Sequence, residues 1–115
     1  MLIETLRESH RVLRPGGLLL LETVNTRSLY GVLEGFHRDL THERPLHPET
    51  LSFLAAAAGF SAVRVETKSP VEASSRLQPI PPEGLPARAA GILNENLERL
   101  NAILFGPQEY ALLAR

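Results

Sequence analysis

Three histidines recur at intervals of five, His37, His42 and His47, and Asp39, Glu43 and Arg44 stand between them. Imidazole beside carboxylate is the usual material of general acid–base work, because histidine changes charge near neutral pH. The same donors bind divalent metals. An interval of five does not stack side chains on one helix face, so no preformed ligand pair is implied and no metal is expected. Two readings of the cluster stay open. In one it recognises substrate or takes a proton. In the other it structures a loop, with Asp39 capping a turn and His47 capping a helix. Arg44 suits a phosphate or carboxylate held bidentately, and it equally suits a solvated surface. A second polar group, Glu22-Thr23-Val24-Asn25, closes an apolar run. Polar residues at the carboxyl end of a strand either border a ligand site or satisfy turn backbone.

These side chains need elements to hold them. Residues 2 to about 13 read as a helix, with Leu2, Leu6 and Leu13 roughly on one face and Ile3 beside them. Pro15 forbids its continuation. Arg14-Pro15-Gly16-Gly17 fits a type II turn, with positive φ at Gly16. The strand at 17–24 follows. Its four consecutive leucines do not alternate with polar residues, so both faces call for cover, as in a parallel α/β sheet. Residues 25–47 show no sustained period beyond a short helical piece near Leu29–Leu33. A connection of that length is usually functional or mobile.

A second helix opens at His47-Pro48-Glu49-Thr50, with proline suited to the first position and glutamate to the positive end of the dipole. Leu51, Leu54, Ala55 and Ala58 form its apolar face, and Gly59-Phe60 fits a Schellman ending. Ala62–Thr67 alternates as a strand with one wetter face. Residues 68–86, rich in proline and serine, read as a partly extended loop. A third helix spans about 87–104. Leu93, Leu97, Leu100 and Leu104 share one of its faces, which is expected to pack into the core. Gln108–Ala114 is a last, apolar strand. The order is α-β-α-β-α-β.

Composition narrows the function classes. The chain has 115 residues, 12 basic and 13 acidic, for a net charge of −1. No basic stripe marks a nucleic-acid surface. No apolar run spans a bilayer, so a soluble, cytoplasmic chain without a membrane partner is expected. With no cysteine, disulfides, thiolate nucleophiles and Cys-based zinc sites are excluded. The length suits a single domain over 1–115.

The order of elements now joins particular residues: Val12-Leu13-Arg14-Pro15-Gly16-Gly17 before the apolar strand, Ala57-Ala58-Gly59-Phe60 before Val63-Arg64-Val65, and Tyr110-Ala111-Leu112-Leu113-Ala114 at the end. In these the chain resembles the C-terminal half of a class I S-adenosylmethionine-dependent methyltransferase. Phe36–Leu51 looks like the matching region of a bacterial subgroup associated with O-antigen or cell-surface glycan synthesis. The resemblance covers this whole chain and about half of the family's domain. The family's glycine-rich loop after its first strand has no counterpart, because Gly16-Gly17 precedes a strand and does not open a helix. The acidic residue that would hold the ribose is also missing. The expectation is a truncated gene product or one half of a split enzyme.

The resemblance implies an α/β fold: a three-stranded partial Rossmann-like sheet with flanking helices, the last strand antiparallel between the other two, lacking the N-terminal cofactor-binding half. It makes residues 36–51 the substrate-facing wall, with His42 the catalytic candidate and Asp39, His42, Arg44 and His47 the substrate candidates. Glu22 and Asn25 become the cofactor candidates. S-adenosylmethionine is implied as cofactor, held mainly by the absent half and not tightly by this chain alone. The strand at 17–24 becomes an open edge, which calls for a homodimer or for a complementing N-terminal half. The expected activity is methyl transfer by the intact assembly. The alternative is a non-catalytic dimeric or partner-binding module derived from a methyltransferase.

Overall fold

A computed structural model describes residues 1–115. Helix α1 covers Leu2–Val12, strand β1 Leu19–Val24, helix α2 Pro48–Ala57, strand β2 Val63–Lys68, helix α3 Ala87–Leu104 and strand β3 Glu109–Ala114. The expected order is present, with ends shifted by one or two residues. The connection after β1 holds a π-helical turn at Gly31–Phe36 in place of the expected piece at 29–33. The proline-rich loop contains one 3₁₀ turn, Ala73–Ser75.

Local chemistry sets the boundaries. Gly16 takes φ +77° and Gly17 N–H donates to Arg14 C=O at 2.7 Å, closing the turn that Pro15 begins. At the end of α2, Gly59 takes φ +115°. Its N–H donates to Ala56 C=O, and the Phe60 N–H reaches Ala55 C=O at 3.2 Å. That is the bond pattern of a Schellman ending. It folds Phe60 into the core, edge-on to His10 at 5.0 Å.

The sheet order is β1-β3-β2, and β3 is antiparallel to both neighbours. The last strand therefore lies in the middle, and β1 is an edge. In register, Leu19, Ala114 and Val63 form one row, and Leu21, Leu112 and Val65 the next. These rows face α1 and α2, and the core closes around them with Leu6, Leu51, Ala55, Phe60 and Tyr110. Burying a leucine such as Leu6 or Leu112 contributes about 1.5–3 kcal/mol.

The opposite face differs from expectation. Leu18 and Leu20 are 47% and 55% exposed. The four leucines were expected to be covered on both sides, but α1 and α2 lie on one side only. The Gly31–Phe36 turn covers the other face only at Val24, where a Cβ on Gly35 would meet the valine methyl at 3.3 Å. An ion pair between Lys68 and Glu22, at 2.7 Å, crosses the same open face at the level of Ala111.

Helix α3 also departs from its expected role. Leu93 and Leu100 are 43% and 45% exposed, and the buried residues of the helix are Ala90 and Asn101. The leucine stripe is not core. The helix makes at most marginal contact with the other helices and strands, and the loop before it holds it instead. Asn101 donates to Leu77 C=O and accepts from Leu77 N–H, at 2.9 and 2.8 Å. Asn94 does the same with Ile80, at 3.2 and 2.6 Å. Each carboxamide acts as one rung of a ladder for the loop backbone. The result is elongated, 61 × 31 × 18 Å, with a radius of gyration of 18.5 Å against about 13 Å for a compact chain of this length.

Candidate functional site

The polar end of β1 forms a structural junction. Asn25 is 3% exposed. Its Nδ2 donates to Pro107 C=O at 2.9 Å, its Oδ1 accepts from Arg27 N–H at 3.1 Å, and its own N–H donates to Gln108 C=O at 2.8 Å. Ser28, fully buried, donates to Gly106 C=O and accepts from Gly31 N–H. A Cβ on Gly31 would sit 2.8 Å from the Gln108 carbonyl oxygen. The exit of β1 is thus sewn to the entrance of β3, and the connection after β1 starts from a fixed point. Of the two sequence readings of Asn25, the structure places it in the backbone-satisfying role. Glu22 takes neither role. It lies inside β1 on the open face and is paired with Lys68, whose pKa is raised by that hydrogen bond.

These geometries decide how the residues suit S-adenosylmethionine. Asn25 has both amide atoms engaged within the chain, and Glu22 points across the sheet toward Lys68. No glycine-rich turn opens a helix. The cofactor candidates do not fit the cofactor, and no step is derived through it.

The histidine segment divides. Phe36 stacks on His42 with ring centroids 5.2 Å apart and planes at 30°, and His37 stands edge-on to Phe36 at 5.3 Å. Asp39 Oδ1 accepts from the Thr41 hydroxyl and N–H, at 2.6 and 2.9 Å. Those two bonds hold the Asp39 carboxyl below the usual range, with a lesser contribution from His42. Asp39 Oδ2 lies 3.5 Å from His42 Nδ1, which is buried and makes no hydrogen bond. The carboxylate lies on the Nδ1 side of the ring, where it would orient the imidazole were the 3.5 Å gap to close to hydrogen-bond range.

His47 stands apart from that pair. Its Nδ1 accepts from Glu49 N–H at 3.2 Å and caps α2. A neutral ring that accepts at Nδ1 carries its proton on Nε2, so Arg27 Nε, 3.4 Å from Nε2, is a contact and not a second donor. Arg27 is held by an ion pair with Glu49. No three His, Asp or Glu side chains converge as a group able to hold a metal.

What brings candidates together is a cleft of about 740 Å³ between the start of α1 and residues 41–46. His42, Glu43 and Arg44 line its polar side, and Leu2, Ile3 and Leu54 its apolar side. Arg44 is exposed and forms no ion pair. Its guanidinium is free for a carboxylate or phosphate. Asp39 stands behind His42, and His47 is not part of the lining.

Tyr110 is the residue that sequence reasoning missed. It is fully buried in the central strand, and its hydroxyl donates to Leu46 C=O at 2.8 Å. Burial pushes its pKa up to about 12. The phenol anchors the segment carrying His42 and Arg44 just before it enters α2. Within an apolar strand, only a hydroxyl that must find a partner could have signalled this.

The crystal structure of a SAM-dependent methyltransferase from Archaeoglobus fulgidus matches this chain with a TM-score of 0.90 and 36% sequence identity. The match covers 98% of this chain and 51% of that one, so the chain spans about half the length of that enzyme. No protein-family model matches the chain, and no curated protein does. No helix is long and apolar enough to cross a membrane. The three-stranded sheet and its flanking helices have a methyltransferase-like fold.

Proposed function

We propose that this chain is the substrate-side, C-terminal half of a class I S-adenosylmethionine-dependent methyltransferase domain, and that it turns over only with a complementing N-terminal half. The observation that carries the reading is the 0.90 TM-score and 36% identity over 98% of the chain to an enzyme about twice as long. The other half contributes the glycine-rich loop and the cofactor. It pairs along the free edge of β1 and covers Leu18 and Leu20. Edge pairing of two copies is the competing arrangement for that strand.

The cleft at 41–46 receives the methyl acceptor. His42, backed by Asp39, is the group placed to accept a proton from an acceptor hydroxyl, and Arg44 the group placed to hold an anionic part of the acceptor. A small molecule or glycan is the acceptor class, in keeping with the resemblance of Phe36–Leu51 to the cell-surface glycan subgroup. A second reading rests on one observation: Glu22 and Asn25 are spent on contacts within the chain. In that reading the fold survives as a non-catalytic partner-binding module.

Calorimetry and co-expression separate the two. The isolated chain should give no measurable heat with S-adenosylmethionine. Co-expression with the protein segment encoded upstream should restore cofactor binding and methyl transfer. Low-micromolar binding by the isolated chain would sink the division of labour. Absence of any upstream segment with a glycine-rich strand-turn-helix would favour the module.

A further inference from the structure

His42 and His47 offer their Nδ1 atoms to opposite kinds of neighbour. His47 Nδ1 accepts from Glu49 N–H, so the proton of that ring sits on Nε2. His42 Nδ1 is buried, makes no hydrogen bond and has the Asp39 carboxylate 3.5 Å away. A carboxylate offers only lone pairs. A bare Nδ1 would set its own lone pair against an anion away from water, whereas an Nδ1–H turns the positive end of a dipole toward it. The neighbour of one ring nitrogen decides which of the two carries the proton.

Thr41 decides how that carboxylate is turned. Its hydroxyl and its N–H both donate to Asp39 Oδ1, at 2.6 and 2.9 Å, which leaves Oδ2 toward the ring. Phe36, stacked on His42 with centroids 5.2 Å apart, holds the plane of the imidazole. Nε2 makes no hydrogen bond within the chain and is not buried, and His42 lines the cleft. We propose that Thr41 is a positioning residue: through Asp39 it fixes His42 as the Nδ1–H tautomer and leaves Nε2 in the cleft as a bare base. A ring in that form takes a proton at Nε2 and has none to give there. The cleft then suits an acceptor that must lose a proton, such as an alcohol. The O–H bond breaks, an N–H bond forms at Nε2, and the resulting imidazolium keeps its Nδ1–H toward the Asp39 carboxylate. That use of the base rests on the reading of the cleft as the acceptor site, whereas the tautomer itself does not.

Nitrogen NMR of the isotope-labelled chain, above the pH range in which histidine titrates, reads the tautomer of each ring, with His42→Gln and His47→Gln assigning the signals. His42 should be Nδ1–H and His47 Nε2–H in the same spectrum, while His10 and His37, both exposed, report the unbiased mixture. Asp39→Asn gives the sharper result. Its carbonyl oxygen keeps the Thr41 bonds, so the amide NH2 turns to the ring and makes Nδ1 an acceptor, and His42 should invert to Nε2–H. Thr41→Val should show both tautomers, and Thr41→Ser should restore the Nδ1–H form. Glu43→Gln, a neighbouring carboxylate outside the pair, should change nothing. A His42 that is Nε2–H in the unaltered chain, or that matches His10 and His37, overturns the proposal. So does an Asp39→Asn variant that keeps the Nδ1–H form, or a Thr41→Val variant indistinguishable from the unaltered chain. The measurement needs neither cofactor nor second half. Its failure therefore leaves the division of labour to calorimetry, and a failure there leaves the tautomer standing.

Discussion

At the residue scale, the informative side chains are polar groups that the pattern of apolar residues conceals. Tyr110 reads as one more buried strand position, yet its hydroxyl fixes Leu46. Its pKa rises to about 12 in the folded chain, from an ordinary value near 10. A raised pKa means that the folded state holds the proton more tightly. Below the unfolded value both states are protonated, and the stabilisation is complete. Between about 10 and 12 only the unfolded chain ionises, and stability falls. Unfolding free energy should therefore decline steeply above about pH 10, and Tyr110→Phe should flatten that decline. At neutral pH the same variant should lose about 1 kcal/mol, because Leu46 C=O forfeits its donor. Urea melts at a series of pH values would check both. His47 carried two readings, substrate contact and helix cap, and its ring caps α2 and stays out of the cleft lining. His47→Ala should cost about 1 kcal/mol, and His47→Asp should restore most of it. Asn25 and Glu22 stayed open between two readings because a sequence shows that a polar residue ends a strand but not which group it meets. Asn25 meets Pro107 and Gln108, some eighty positions later in the chain.

At the scale of elements, most of the chain was legible from punctuation. Pro15, Gly16, Pro48, Gly59 and Gly106 sit where helices and turns change, and periodicity filled in the spans between them. What periodicity leaves open is the identity of a face's partner. Leu93, Leu97, Leu100 and Leu104 do share a side of α3, but the helix docks through Asn94 and Asn101. The useful signal was the seven-residue interval between two asparagines within a helix, where asparagine is a poor former unless it bonds elsewhere. Asn101 is 2% exposed, and its removal strands both backbone groups of Leu77. Asn101→Ala should cost about 1–3 kcal/mol and make the loop at 69–86 a preferred site of limited proteolysis. Asn94→Ala, at a more exposed rung, should do less to both.

At the scale of the whole molecule, the sheet is covered by helices on one side only. The sheet has helices on one face, a free edge at β1 and two exposed leucines on its other face. The leucine run suits a strand covered on both faces, and that mismatch with the fold is what the docking layer proposed above would relieve. This separates two kinds of variant. Leu51 is buried in the core, and Leu51→Ala should cost about 2–5 kcal/mol in the isolated chain. Leu20 is 55% exposed, so Leu20→Lys should change the isolated chain's stability by no more than about 0.5 kcal/mol. In the assembly proposed above the order should reverse in its consequence. Lysine at position 20 would place a charge between the open face and the layer that covers it, where no acidic partner waits, because Glu22 is already paired with Lys68. Leu20→Lys should therefore abolish recovery of methyl transfer on co-expression while the chain itself unfolds at an unchanged urea midpoint. Equal activity in Leu20→Lys and the unaltered chain would show that the second layer docks somewhere other than this face.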